Sequence, residues 1–91
     1  MIKQNVRVKV LSGIHFRPAG KITENALKYD SEITIMSKEK KCNAKSFLNL
    51  LAACIKYNDE IEVICEGPDE QQALEEMISL LENDILEENK K

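Results

Sequence analysis

The stretch Ser12-Gly13-Ile14-His15-Phe16-Arg17-Pro18-Ala19-Gly20 holds the only histidine of the 91-residue chain. His15 stands at the end of a loop, shortly before Arg17 and Pro18, and the proline opens a segment with helical apolar spacing. Proline is favoured in the first helical turn, where its missing N–H removes a donor that would be unpaired anyway. His15 is therefore expected at or beside an N-cap. The first N–H groups of a helix point outward without partners, and the aligned peptide dipoles place about half a positive charge there. An anion is welcome at such a spot, and Arg17 adds a fixed cation with a planar fork of donors suited to phosphate or carboxylate. A nitrogen nucleophile thus lies against an anion cradle. The chemistry this combination points to is transient phosphoryl attachment to imidazole. A lone histidine is ordinarily a surface or core residue with no chemistry, and it is the company of Gly13, Arg17 and Pro18 that lifts His15 above that reading.

The elements that must position these residues belong to a small chain. Its length allows one compact domain, residues 1–91, with 87–91 expected to fray. Hydrophobic residues at 43% and charged residues at 32% are ordinary for a globular domain and argue against disorder. A net charge of -3 and an aromatic content of 4% leave neither the basic surface nor the stacking side chains that nucleic acid binding needs. The N-terminal residues show no signal-peptide pattern and no apolar run is long enough to insert in a membrane, so a cytoplasmic protein is expected. Cys42, Cys54 and Cys65 form no Cys-x-x-Cys pair, which fits neither a disulfide framework nor a metal site; they read as small, partly buried thiols.

Alternation places Val6, Val8 and Val10 on one face of a strand over 5–10, with Arg7 and Lys9 opposite. The spacing then predicts a helix over 18–29, with Ala19, Ile22, Ala26 and Leu27 packing and Lys21, Glu24, Asn25 and Lys28 solvated. Gly20 is its weak point, costing about 1 kcal/mol relative to alanine. A strand over 32–36 turns Ile33 and Ile35 inward, Ser37-Lys38-Glu39-Lys40 reads as a hairpin loop without the usual Asn-Gly or Asp-Gly, and a short strand over 41–44 returns. Ser46 precedes the apolar run 47–55 as an N-cap. That second helix is apolar on more sides than one small core can bury: Phe47, Leu48 and Leu51 lie on one side and Leu50, Ala53 and Cys54 on the other. Either part of it is merely half-buried or it forms a docking patch. Asn58 suits a left-handed turn. A strand over 60–66 buries Ile61, Val63 and Cys65. Asp69 and Gln72 resemble a capping box ahead of the stripe Leu74, Met77, Ile78, Leu81 and Ile85, whose opposite face carries Glu75, Glu76, Glu82 and Asp84. The order β-α-β-β-α-β-α describes an α+β two-layer sandwich, helices on one face of a mainly antiparallel sheet.

Gly13-Ile14-His15-Phe16-Arg17-Pro18-Ala19, together with Lys45-Ser46-Phe47-Leu48-x-Leu50-Leu51, resembles the histidine-containing phosphocarrier protein HPr of the bacterial phosphoenolpyruvate-dependent sugar phosphotransferase system. The resemblance covers essentially the whole chain. It implies an open-faced β-sandwich of four strands and three helices, without cofactor or metal and without turnover of its own. It implies that His15 accepts a phosphoryl group on Nδ1 from phosphorylated Enzyme I and passes it to the histidine of an EIIA domain, with Arg17 beside the phosphate. Ser46 corresponds to the serine modified in many relatives by HPr kinase/phosphorylase and then recognised by a catabolite-control transcription factor. Phe16, Phe47, Leu48 and Leu51 become the expected docking surface, and a carrier that meets its partners through one face is expected to be a monomer.

Several residues depart from the family pattern. Phe16 stands where a small residue is usual, Gly20 and Asn49 are unusual choices, and Cys54 and Asn58 replace glycines. An HPr-like regulatory protein acting through Ser46 therefore stays open beside the carrier, although the presence of both His15 and Arg17 argues against it. A small-molecule-binding α/β regulatory module is the third reading, and three glycines offer it little of a ligand loop.

Overall fold

The computed structural model describes residues 1–83. The tail 87–91, and the expected contributions of Asp84 and Ile85 to the last helix, lie outside the described residues. The elements are β1 (Ile2–Arg7), α1 (Phe16–Ala26), β2 (Glu32–Ser37), β3 (Lys40–Asn43), α2 (Phe47–Ala52), β4 (Glu60–Glu66) and α3 (Glu70–Glu82). The four strands make one antiparallel sheet in the spatial order β1-β4-β2-β3. Alternate side chains are buried along them: Val6, then Ile33 and Ile35, Cys42, and Ile61, Val63 and Cys65. The core therefore lies against one face of the sheet, where the helices cover it with Ile22, Ala26, Leu50, Leu74, Met77 and Leu81. The opposite face, with Lys3, Asn5, Glu62 and Thr34, carries no helix among the described residues. This is the expected open-faced α+β sandwich.

Several element boundaries differ from the sequence expectation, each for a tertiary reason. β1 runs over Ile2–Arg7 because β4 offers partners only from Cys65, opposite Ile2, to Glu60, opposite Arg7. Val8 and Val10 are fully buried as expected, but outside the ladder. There Val8 donates its N–H to the Asp59 carbonyl and Lys9 donates to that of Leu81. α1 ends at Ala26, since Lys28 and Tyr29 bond three residues back, to Asn25 and Ala26, in a tightened last turn. Leu27 is left 62% exposed instead of packing. The hairpin closes on the Ser37–Lys40 pair, with Lys38 at φ 51° and Glu39 at φ 71°. Both central residues thus take the positive φ of a type I′ turn without glycine or asparagine.

α2 stops at Ala52, and Cys54, at φ 54°, takes the left-handed position that commonly ends a helix. That exposes Cys54, whereas Cys42 and Cys65 are buried. Burial raises both inner thiols, Cys65 to about 11. The expected capping box does not form. Asp69 is the N-cap of α3, but its side chain makes no cap bond. Oδ1 accepts instead from the Ser31 hydroxyl at 2.5 Å and the Ser31 N–H at 2.9 Å, and Oδ2 from the Asp30 N–H at 3.0 Å. The carboxylate ties α3 to the start of β2, and these hydrogen bonds, the Ser31 hydroxyl first, hold it below the ordinary aspartate range.

Candidate functional site

The loop before α1 is set by two hydrogen bonds. Gly13, at φ 79°, donates its N–H to the Val10 carbonyl at 2.9 Å, and buried Ile14 donates to Ile55 at 2.8 Å. His15 then becomes the N-cap in extended backbone, φ -109° and ψ -152°, its carbonyl accepting from Ala19. Its imidazole makes no capping bond and is exposed. The helix begins at Phe16, two residues before the expected proline. The N–H groups of Phe16 and Arg17 therefore find no backbone acceptor among the described residues. Pro18, third in the helix, has no N–H to leave unpaired and is buried. No acidic residue occupies the first turn. Arg17 is exposed and makes no hydrogen bond or ion pair among the described residues.

Beside the imidazole opens a shallow cleft of about 260 Å³, lined by Ser12, Gly13, Ile14, His15, Leu51, Cys54, Ile55 and Lys56. Sequence reasoning did not place residues 54–56 at this site. The bond from Ile14 to Ile55 and the left-handed Cys54 bring them there. The apolar run 47–55 reads as one continuing helix, so the sequence pattern does not mark the turn at Cys54.

Ser46 is the N-cap of α2, and its Oγ accepts from the Asn49 N–H at 3.3 Å. The Asn49 carboxamide oxygen accepts in turn from the Asn43 N–H at 3.3 Å, tying the helix start to the end of β3. Lys45, next to Ser46, donates its ammonium to the Tyr29 carbonyl at 2.6 Å. Ser46 does not line the His15 cleft. The two helix starts meet instead through Phe16 and Phe47, whose rings lie edge to face with centroids 5.5 Å apart and planes at 72°. Phe16 is 70% and Leu48 72% exposed, while Phe47 and Leu51 are half-buried against the core. Of the four apolar residues singled out in the sequence, two therefore project and two support.

Among the described residues no group of three or more His, Cys, Asp or Glu side chains could hold a metal ion. No described helix is long and apolar enough to cross a membrane. A larger hollow of about 440 Å³, lined by residues including Lys41, Asn43, Lys45 and Asn49, lies along β2 and β3 and shares no lining residue with the His15 cleft.

Fold and site together define a small α+β protein that presents on its surface an imidazole, the two amides that open α1 and a guanidinium, all without partners among the described residues, an arrangement suited to receiving an anion. The protein family described as "PTS HPr component phosphorylation site" matches residues 2–83. The HPr-like protein Crh of Halalkalibacterium halodurans is 38% identical over 84 residues, 92% of this chain and 100% of that protein. The phosphocarrier protein HPr of Treponema pallidum is 36% identical over 88 residues, 97% of this chain and 100% of that one. The crystal structure of a phosphocarrier protein HPr from Bacillus anthracis superposes with a TM-score of 0.86 at 28% identity, covering 88% of this chain and 95% of that chain. The chain belongs to the HPr family of the bacterial phosphotransferase system. Members of this family are phosphocarrier proteins that interact with the other components of that system and are not independent catalysts.

Proposed function

We propose that this protein is a cytoplasmic, monomeric, single-domain phosphoryl carrier, which accepts a phosphoryl group on His15 from phosphorylated Enzyme I and donates it to the histidine of an EIIA domain. The observation that carries this reading is the exposed His15 side chain, without a capping bond, directly ahead of the unpaired Phe16 and Arg17 amides. In the forward step the unprotonated Nδ1 attacks phosphorus, the new N–P bond forms, and the P–N bond to the Enzyme I histidine breaks. The proton stays on Nε2. Charge on the transferring oxygens meets the helix amides and the Arg17 guanidinium, which favours an in-line transfer chiefly by positioning and electrostatics.

A carrier must also let go. Each ~1.4 kcal/mol of extra stabilisation on the carrier reduces onward transfer tenfold. The shallow cleft and solvent-exposed Arg17 keep the phosphoryl group in water-screened surroundings, where such stabilisation stays small. Phe16, Phe47, Leu48 and Leu51 form the docking surface shared by the two partners.

A second reading is favoured by Ser46, which caps α2 one residue before Phe47. A phosphoryl group there adds a charge of roughly -1.5 to -2 that the helix start tolerates and an acidic partner does not. In this reading an HPr kinase/phosphorylase modifies Ser46, and a catabolite-control transcription factor recognises the product.

The test is incubation with phosphoenolpyruvate, Mg²⁺ and the Enzyme I of the same organism, followed by intact-mass spectrometry before and after mild acid. The carrier gains one acid-labile phosphoryl group and His15→Ala gains none. No gain on the native protein, with acid-stable modification of Ser46 by the kinase, establishes the regulatory reading instead.

A further inference from the structure

Two residues that depart from the family pattern, Phe16 and Gly20, lie four apart on α1 and so share one helix face. The ring of Phe47 reaches that face. It meets the Phe16 ring edge to face at 5.5 Å, and its Cε1 lies 3.9 Å from the place a Cβ on Gly20 would occupy. Glycine at position 20 leaves that place open beside the ring. Phe16 and Gly20 therefore make a notch that seats Phe47, and Phe47 in turn buttresses Phe16.

The consequence is a phenyl ring that is 70% exposed yet held by a neighbour, directly after the residue that bears the imidazole. An unsupported phenyl on a helix start would choose among rotamers, and the contact reduces the freedom lost on docking. Exposed cations flank the notch and the cleft beside it, with the Asp59 carboxylate accepting from the Lys56 amide at 2.9 Å. Arg17 and Lys21 are exposed on α1 and Lys56 on the facing loop, none in an ion pair with a described residue. The nearest carboxylate in sequence on α1 is Glu24, in the helix's third turn.

We infer that Phe16, buttressed by Phe47 over Gly20, is a specificity-determining residue for phosphoryl transfer. It selects a phosphoryl-donor protein that offers, beside its own reacting histidine, an apolar hollow deep enough for a phenyl ring and rimmed by carboxylates. A donor with a surface flat at that point meets a projecting ring that holds the two histidines apart. This inference rests on the carrier reading and adds to it the shape and charge of the partner.

The experiment measures kcat and KM for transfer from two phosphorylated donors, the Enzyme I of the same organism and that of a distant species, to the native protein, Phe16→Ala, Phe16→Leu and Phe47→Leu. Thermal melts of each variant confirm folding. With its own donor, Phe16→Ala raises KM by about thirtyfold, the scale of a buried aromatic anchor. Phe16→Leu and Phe47→Leu fall between it and the native protein. With the foreign donor the Phe16→Ala effect is much smaller or reversed, so the preference between donors narrows. Equal factors for both donors, or changes below threefold with the organism's own donor, overturn the inference and leave the carrier reading standing. If the native protein takes no phosphoryl group from either donor, the carrier reading fails first and the inference with it.

Discussion

The chain has three glycines, and replacing each by alanine has a different expected sign or size. At Gly67, φ is +152°, and a Cβ would lie 2.5 Å from Ser31 Cα and 2.6 Å from Ser31 Oγ. Carbon atoms sit comfortably at about 3.5–4.0 Å, so the backbone of the β4–α3 turn must move by about 1 Å. No rotamer can relieve a clash with a Cα. Backbone strain of about 1–3 kcal/mol and overpacking of about 1–3 kcal/mol together give a loss near 4 kcal/mol. A fold of this size has only about 5–14 kcal/mol in all.

At Gly13, φ is +79° and a Cβ would lie 3.1 Å from the Ile55 carbonyl oxygen, which also accepts from Ile14. The left-handed backbone costs about 1–2 kcal/mol, so the loss is near 2 kcal/mol. Gly20 sits inside α1, where the new methyl meets only Phe47 Cε1 at 3.9 Å, an ordinary contact. There alanine gains about 0.5–1 kcal/mol.

Urea unfolding followed by far-UV circular dichroism reads all three. With a slope of about 2 kcal/mol per M, Gly67→Ala lowers the midpoint by about 2 M, Gly13→Ala by about 1 M, and Gly20→Ala raises it slightly. Ser31→Gly removes the hydroxyl and methylene from the Gly67 clash but leaves the Cα, so it does not rescue Gly67→Ala. The reasoning is refuted if Gly67→Ala costs less than Gly13→Ala, or if Ser31→Gly restores it.

Thiol titration with an aromatic disulfide reagent should label Cys54 alone in the native protein, because Cys42 and Cys65 are buried and their thiols raised, and all three after unfolding. Rapid labelling of two or three native thiols would contradict the burial. Tyr29 donates its hydroxyl to Glu76, and that bond, then burial and the nearby carboxylates, push the phenol up to about 12. The stabilisation is complete below the ordinary tyrosine value near 10 and is lost as pH rises through the folded value. Absorbance titration should show a late phenolate component that disappears in Tyr29→Phe. Asp69 has the opposite sign: its folded pKa lies below the ordinary 3.8, so its contribution is complete above that value and fades as pH falls through the folded one. Acid unfolding followed by circular dichroism should therefore be shallower below about pH 4 in Asp69→Asn. An unchanged acid limb would show that the Ser31 and Asp30 bonds do not distinguish the charged form.

What could be read without coordinates was whatever local periodicity or a short motif encodes. Alternating Val, Ile and Cys residues mark the inward strand faces, Ser46 marks the start of α2, and the His15–Arg17–Pro18 sequence marks a helix N-terminus with an uncommitted imidazole. Each depends on neighbours a few residues away. Even there, the two residues by which α1 starts ahead of Pro18 matter, since they make Phe16 and Arg17 the owners of the unpaired amides.

Tertiary structure decided the rest, because it depends on competition between distant partners. The side chain of Asp69 could have capped its own helix, but the amides of Asp30 and Ser31 and the Ser31 hydroxyl converge on it more favourably. β1 shows little alternation over residues 2–5 and is a strand because β4 pairs with it. Residues 54–56 reach the His15 cleft through one backbone bond from Ile14 to Ile55. The unusual Phe16 and Gly20 acquire a common reason only when the Phe47 ring, supplied by a different helix, is set beside them. The sequence by itself determined that the single imidazole stands at the start of a helix. Only long-range packing decided what surrounds it, since contacts between residues far apart in the chain leave no periodic trace in it.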